Sequence, residues 1–270
     1  MLRLRDIRKT FNAGTDNEVR GLDGVTLEFE PGTWTIVIGT NGSGKSTMQS
    51  AISGTFELDG GTIAVDGTDI TRWPEHRRAR MIGRVFQDPY AGSAPSLTVA
   101  ENLALAEGRG SRRTLAPLLR RSRRAVWREM LAEIGLGLEH RLDDPIGLLS
   151  GGQRQSITLL MATATTPKVL LLDEHTAALD PRSADQVIQL TSRIVARHRA
   201  TTIMVTHSMA QAAALGDRLI AMHRGRVYLD VRGPEKRRLR VEDLHDVFAQ
   251  MRQDDRLDDA ALALLAAEYA

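Results

Sequence analysis

Cysteine is absent from the 270 residues. That excludes disulfides, thiolate zinc sites and iron–sulfur clusters. No stretch approaches the roughly 18 consecutive apolar residues of a membrane span. The opening Met1–Asp6 lacks the apolar core of a secretion signal. Internal repeats and low-complexity tracts are missing as well. Nor is there an excess of one charge: 36 basic residues face 34 acidic ones, a formal net charge of +2. Such a balance provides no chain-wide attraction to nucleic acid. Lysine is rare, limited to Lys9, Lys45, Lys168 and Lys236. The basic pI of about 9.2 reflects arginine, which keeps its proton far above neutrality. A soluble cytoplasmic protein is expected, with any membrane role exerted through a partner.

What is present suffices for a sizeable core. Apolar residues make up 42% of the chain, and the length suits one large α/β domain with a smaller subdomain. Residues 2–7 alternate apolar and charged, as a half-buried strand does. Further strands are expected near Val25–Glu30, Thr33–Ile38, Thr62–Val65, Met81–Phe86, Val169–Leu172, Thr202–Thr206, Arg218–Met222 and Arg226–Leu229. From about Thr98 to Ser150 the spacing of Leu and Ala reads as helical, and so does the tail from about Val241. The 20 residues Arg109–Arg128 hold eight arginines and no acid. A solvated helical face is the ordinary explanation of such a run; contact with anionic lipid or an acidic partner is the functional one. The tail places Asp254, Asp255, Asp258 and Asp259 before an Ala/Leu stretch and reads as a surface helix.

Two segments carry chemistry. Gly39-Thr40-Asn41-Gly42-Ser43-Gly44-Lys45-Ser46-Thr47 fits the phosphate-loop pattern, between an expected strand and an expected helix. Its glycines let successive backbone N–H groups turn toward phosphate oxygens, and the helix N-terminus adds its positive dipole end. Lys45 supplies a charge for the β- and γ-phosphates, and the Ser46 hydroxyl a ligand for Mg²⁺. The bare pattern arises by chance in roughly 1% of chains this long, and the strand–loop–helix setting makes chance rarer. The second segment, Lys168–Glu174, is an apolar strand ending in two acids. Carboxylates there lie at the sheet edge where α/β sites form. Adjacent residues of a strand point to opposite sides, so Asp173 can serve Mg²⁺ while Glu174 polarises an attacking water. An acidic helix cap is the bland alternative for the pair alone; beside a phosphate loop it is weak.

Leu149-Ser150-Gly151-Gly152-Gln153 is expected by composition in well under 0.1% of such chains. With it, the sequence resembles the ATP-binding cassette (ABC) transporter ATPases over roughly residues 2–232. The resemblance implies a phosphate-loop α/β core with a mainly parallel sheet, an N-terminal antiparallel β-subdomain and an inserted helical subdomain. It divides the chain into a cassette domain at 1–232, with the helical subdomain at about 88–165, and a C-terminal helical tail at 233–270. It assigns Phe11 to adenine stacking, Gln87 to sensing Mg²⁺ and the membrane partner, and His207 to the γ-phosphate. Ala177–Asp180 matches the loop that crosses between two nucleotide sites. Taken singly, Phe11, Gln87 and His207 would be a core aromatic, a loop amide and a satisfied strand-end histidine. Two departures stand out. His175 replaces the usual proline after the catalytic glutamate, most simply as a structural variant, and Ala177 replaces a serine. The runs Leu171–Pro181 and Ser150–Ala162 together resemble a bacterial importer subgroup associated with tryptophan or tyrosine uptake.

Ser150 and its glycines open a helix and so offer a second anion site. In the family this site caps the ATP held by another copy. The resemblance therefore implies a head-to-tail dimer with two ATPs at its interface, closed by ATP and released by hydrolysis. It also implies transmembrane permease subunits docking near Gln87 and Asp88-Pro89-Tyr90, an extracytoplasmic substrate-binding protein acting indirectly, and a peripheral place on the cytoplasmic face of the membrane. An orientation of the Arg-rich stretch toward the inner leaflet is one option that the sequence leaves open. Other cassette ATPases serve soluble machines. Those of DNA maintenance carry long coiled coils, whereas only 104 residues without sustained heptads separate Lys45 from Ser150 here. Those of translation carry two motif sets, against one here. A binding module without catalysis is disfavoured by Glu174 and His207.

Overall fold

The computed structural model describes residues 1–109, 119 and 121–268, and their side chains apart from those of 121 and 255–268. The chain begins with β1 (Leu2–Phe11) and β2 (Val19–Phe29), and β3 (Trp34–Gly39) then runs into α1 (Lys45–Ser53). β4 (Gly60–Val65), a short β5 (Thr68–Asp69), α2 (Glu75–Arg78) and β6 (Ile82–Val85) follow. The helical middle holds α3 (Val99–Glu107), α4 (Arg121–Ala132), two 3-10 turns and α5 (Gly151–Thr163). Then come β7 (Val169–Asp173), α6 (Pro181–His198), β8 (Thr201–Val205), α7 (Met209–Ala214), β9 (Arg218–His223) and β10 (Arg226–Arg232). α8 (Gly233–Arg238) and α9 (Val241–Glu268) close the chain.

Six strands form one sheet in the order β10-β9-β3-β8-β7-β6. All its pairs are parallel except β10 with β9. A separate antiparallel sheet runs β2-β1-β4-β5. This is the α/β cassette architecture expected from the sequence. β5 and α2 were not foreseen, since two and four residues are too short to display a period.

Strand alternation explains the layering. Ile36, Ile38, Leu170, Leu172, Met204, Leu219 and Ala221 face one core with α3, α5 and α6. Val37, Leu171, Ile203, Val205, Ile220 and Met222 face a second core with α1 and the antiparallel sheet. The parallel strands of the main sheet are thus buried on both faces, whereas the antiparallel edge strand β10 is mostly exposed. Helix starts follow local chemistry. Thr98 and Glu101 form a capping box before α3, and Asp180 caps α6 with Pro181 just inside.

Of the Arg-rich stretch, residues 110–118 and 120 lie outside the described residues. Arg109 donates to the Met161 carbonyl, Arg123 pairs with Glu107, and Arg124 pairs with Asp143. Arg109 is thus held internally, while Arg123 and Arg124 form ion pairs at the surface. The first half of α9 is an amphipathic surface helix docked by one edge, most of its residues being exposed. Leu244 and Met251 are fully buried, with Val247 and Phe248 packed beside them.

α1 is clamped at its far end. Arg78 is buried and donates to the carbonyls of Ala51 and Ile52 on α1, and to those of Thr71 and Trp73. The last carbonyls of a helix lack intrahelical donors, so this guanidinium satisfies them and ties the β-subdomain to the phosphate-loop helix. Arg78→Met should lower the unfolding free energy by about 2–4 kcal/mol, read from urea denaturation.

Candidate nucleotide site

Four neighbouring strands end at one edge of the main sheet. β3 opens into Thr40–Gly44, β8 into Thr206-His207, β7 ends at Asp173, and β6 leads to Phe86-Gln87. Register pairs Val37 and Asp173 with Val205, and Val85 with Leu172. Gly39–Thr47, Asp173, Glu174, His207 and Gln87 thereby come to the C-terminal edge of the sheet, where backbone and helix ends favour ligand binding.

The loop folds because its glycines permit it. Gly44 caps α1 at φ +98°, and a Cβ there would sit 2.4 Å from the Gly21 carbonyl oxygen. Only glycine tolerates both constraints. Lys45 is buried, and its ammonium donates to the carbonyls of Gly39 (2.9 Å) and Thr40 (2.8 Å). Burial holds it below the ordinary lysine range, while the charges of Glu174 and Asp173 act in the opposite sense. Asn41, Gly42 and Ser46 are exposed, and Ser43 is buried. Gln49, which the sequence reading passed over, anchors α1 through its amide to the carbonyls of Leu172 (3.1 Å) and Ile203 (3.3 Å).

Phe11 ends β1 beside this loop. A Cβ on Gly21 would lie 2.9 Å from the Phe11 ring and 3.0 Å from the Thr47 methyl. The Phe11 ring meets Phe56 edge-on at 5.4 Å, with the Lys9 ammonium 5.8 Å from its centre. It is half-buried and so retains surface for a planar ligand.

Glu174 adopts φ +46°, a left-handed conformation uncommon for a non-glycine residue and frequent at functional turns. Its carboxylate lies 2.6 Å from His207 Nε2. Asp173 instead reaches Arg84 Nη2 at 3.3 Å. The adjacent acids thus take different partners, and the acidic-cap alternative does not describe them, since no helix starts there.

For a metal, Asp173, the exposed Ser46 hydroxyl and the exposed Gln87 amide offer hard oxygen donors suited to Mg²⁺. Among the described residues, no three His, Asp or Glu side chains converge as a metal cage. Such a set fits an ion that arrives with phosphate oxygens supplying most of its ligands.

Ser150–Gln153 stand elsewhere, at the start of α5. Ser150 and Gln153 form a reciprocal capping box, and Gln153 also contacts Arg141 and the Leu136 carbonyl. Gly152 is a close-approach position: a Cβ there would meet Ser183 Cβ of α6 at 2.7 Å. Further along α5, Gln155 donates to the Phe86 carbonyl at 3.1 Å, and the Arg154 guanidinium stacks 3.7 Å from the centre of the Tyr90 ring. These two contacts bind the segment around Gln87 to the helix that Ser150 opens. The residue types alone carry no signal for them.

A strand, a glycine loop cradling a lysine, a helix, and two acids at the end of the next strand but one in the sheet define a phosphate-loop ATPase. A profile of the ABC transporter family matches residues 22–177. The chain is 43% identical over 250 residues to the tyrosine transport ATP-binding protein of Clostridioides difficile, covering 92% of this chain and 98% of that one. It is 34% identical to the lipoprotein-releasing system ATP-binding protein LolD 1 of Caulobacter vibrioides, covering 87% and 97%. Among solved structures, the post-hydrolysis dimer of the cassette MJ0796 bound to ADP and phosphate superposes with a TM-score of 0.73 at 29% identity, covering 86% of this chain and 98% of that one. The chain belongs to the ABC transporter family, as one of its ATP-hydrolysing subunits. Among the described residues no helix is long and apolar enough to cross a membrane.

His175 is accounted for by packing. It is buried, and its Nε2 lies 3.0 Å from Thr191 Oγ1. The Thr191 hydroxyl already donates to the Val187 carbonyl at 2.8 Å, so it accepts the Nε2 proton and leaves Nδ1 bare. Burial pushes this imidazole down from 6.5 to about 4. Unfolded His175 therefore takes up a proton at a higher pH than folded His175, and stability falls as pH drops through that window. Relative to His175→Gln, the parent chain should lose on the order of 3 kcal/mol more stability between about pH 7 and about pH 4, measured by denaturant titration at each pH.

Proposed function

We propose that this ATPase powers a bacterial importer of an aromatic amino acid or similar small solute. It would act as a head-to-tail pair docked on permease subunits at the cytoplasmic face of the membrane. An extracytoplasmic binding protein would deliver the solute to that permease. The cargo assignment draws support from the 43% relative named for tyrosine transport. The observation that carries the mechanism is the 2.6 Å contact between Glu174 and His207, beside a lysine whose charge interacts with Glu174 and Asp173.

In this reading Phe11 stacks on adenine, and the amides of Gly39–Thr47 wrap the phosphates. Lys45 trades the Gly39 and Thr40 carbonyls for β- and γ-phosphate oxygens. Ser46, Asp173 and Gln87 would hold Mg²⁺, which would supply neutralisation of charge on the transferring phosphoryl group. Glu174 accepts a hydrogen bond from the attacking water and aligns it with the γ-phosphorus. His207 holds the Glu174 carboxylate and approaches the γ-phosphate. The P–O bond to the β-phosphate breaks as the water oxygen bonds. Ser150, Gly151, Gly152 and Gln153 of one copy close over the ATP of the other, with Ser150 N–H and Oγ free to exchange their capping partners for phosphate oxygen. Loss of the γ-phosphate removes what both copies hold, and the pair opens.

Two experiments test this. Glu174→Gln should slow hydrolysis by about 10²-fold or more while retaining ATP, so that an ATP-held dimer accumulates on size exclusion. Adding Ser150→Tyr should abolish that dimer without weakening monomer binding. Wild-type turnover in Glu174→Gln, or a normal dimer in the double variant, would refute the assignments. Separately, affinity purification from detergent-solubilised native membranes should bring down a polytopic membrane protein. Recovery of ribosomal or nucleic-acid partners alone would refute the transport reading.

A further inference from the structure

Arg84 occupies an unusual position. It lies on β6, three residues before Gln87, opposite Leu171 in the parallel pairing with β7. One two-residue step beyond Leu171, on the same face, is Asp173. Both side chains are only 14% exposed, with Arg84 Nη2 3.3 Å from Asp173 Oδ2. The same guanidinium reaches Ser50 Oγ at 3.3 Å and Ser53 Oγ at 3.2 Å, and it packs 4.7 Å from the centre of the Phe86 ring. Its Nε is buried without a hydrogen-bond partner.

These contacts have two consequences. A carboxylate at the end of a buried strand needs a counter-charge, and Arg84 is the one in contact. A divalent cation at Asp173 would then sit within a few Å of a fixed positive charge that screening by water weakens only in part. Arg84 also has a second set of partners. Ser50 and Ser53 belong to the last turns of α1, where the negative end of the helix dipole favours a cation. The guanidinium can release Asp173 and keep both hydroxyl contacts.

We propose that Arg84 is a positioning residue that occupies the Asp173 carboxylate while the metal is away and makes divalent-cation binding conditional on ATP. Free cation meets a carboxylate already paired, and the triphosphate supplies the negative charge that tips the exchange. Once released, the guanidinium is left on the phosphate-loop helix alone, so metal arrival is felt at Ser50 and Ser53, which it already contacts. The inference rests on Asp173 serving the metal.

Mn²⁺ serves as the probe, titrated by electron paramagnetic resonance into the nucleotide-free full chain. Arg84→Met and Arg84→Gln should each tighten Mn²⁺ binding by about tenfold or more, with metal-free ATP affinity measured in EDTA unchanged within about twofold. Arg84→Lys, which keeps the charge, should stay near the parent. Neutral variants that melt like the parent yet bind Mn²⁺ no more tightly overturn the role of Arg84. Tightening that survives an added Asp173→Asn substitution places the cation elsewhere and overturns the Asp173 assignment instead. A readout independent of the neutral variants uses ¹⁵N-arginine spectra of the ATP-bound Glu174→Gln protein. The Nε–H signal that Arg84→Lys removes should shift on adding Mg²⁺; a signal that does not move overturns the proposal.

Discussion

Charge balance at one sheet edge governs this molecule. Two carboxylates, Asp173 and Glu174, end the buried strand β7 and its turn, where neither can be left without a charged or hydrogen-bonding partner. Arg84 contacts the first, His207 contacts the second, and the Lys45 ammonium lies close enough to feel both. Arg84, His207 and Lys45 each come from a different segment. The edge is therefore assembled only when β6, β7, β8 and the loop after β3 are in register. A phosphate chain with its metal would enter a site whose cations and anions are already paired with one another or with backbone carbonyls. Binding there is an exchange of partners, which makes it sensitive to small displacements of any contributing strand.

Those displacements can reach well beyond the edge. β6 leads directly from Arg84 to Gln87, and the Phe86 carbonyl between them is bonded to Gln155 of α5. Arg154 of the same helix stacks on Tyr90 and donates to the carbonyls of Ile146, Gly147 and Leu149, the residues that precede Ser150. A continuous set of contacts thus links the Asp173 carboxylate to the capping box that starts α5. Packed elements with such shared contacts shift together rather than deform separately.

Local sequence made much of this legible. The central strands β3, β7 and β8 announced themselves because both faces are buried and the residues are apolar or β-branched throughout most of their length. The phosphate loop is readable because glycine spacing and a lysine are intrinsic to its backbone path, and Gly44 has a steric reason that no other residue satisfies. The capping boxes at Thr98 and Ser150 are likewise local, closed within four residues. β5 and α2 were missed because they are too short for periodicity, and the burial of Leu244 and Met251 in α9 because helical spacing alone does not reveal what a helix packs against.

His175 illustrates the boundary. The sequence marked it as a departure, but only burial under α6, where it meets Thr191 sixteen residues away, makes it a neutral packed imidazole. Arg84, Gln49, Arg78 and Arg154 were silent in the sequence for the same reason. Arginine and glutamine are ordinary at any surface, and their long side chains gain meaning from partners brought close by the fold. By itself the sequence determined the class of chemistry, since nucleotide recognition depends on short backbone motifs whose geometry is set by neighbouring residues. Tertiary structure alone decided which charges oppose one another and which helix holds which loop, because electrostatic pairing acts over a few Å in space, whatever the separation along the chain.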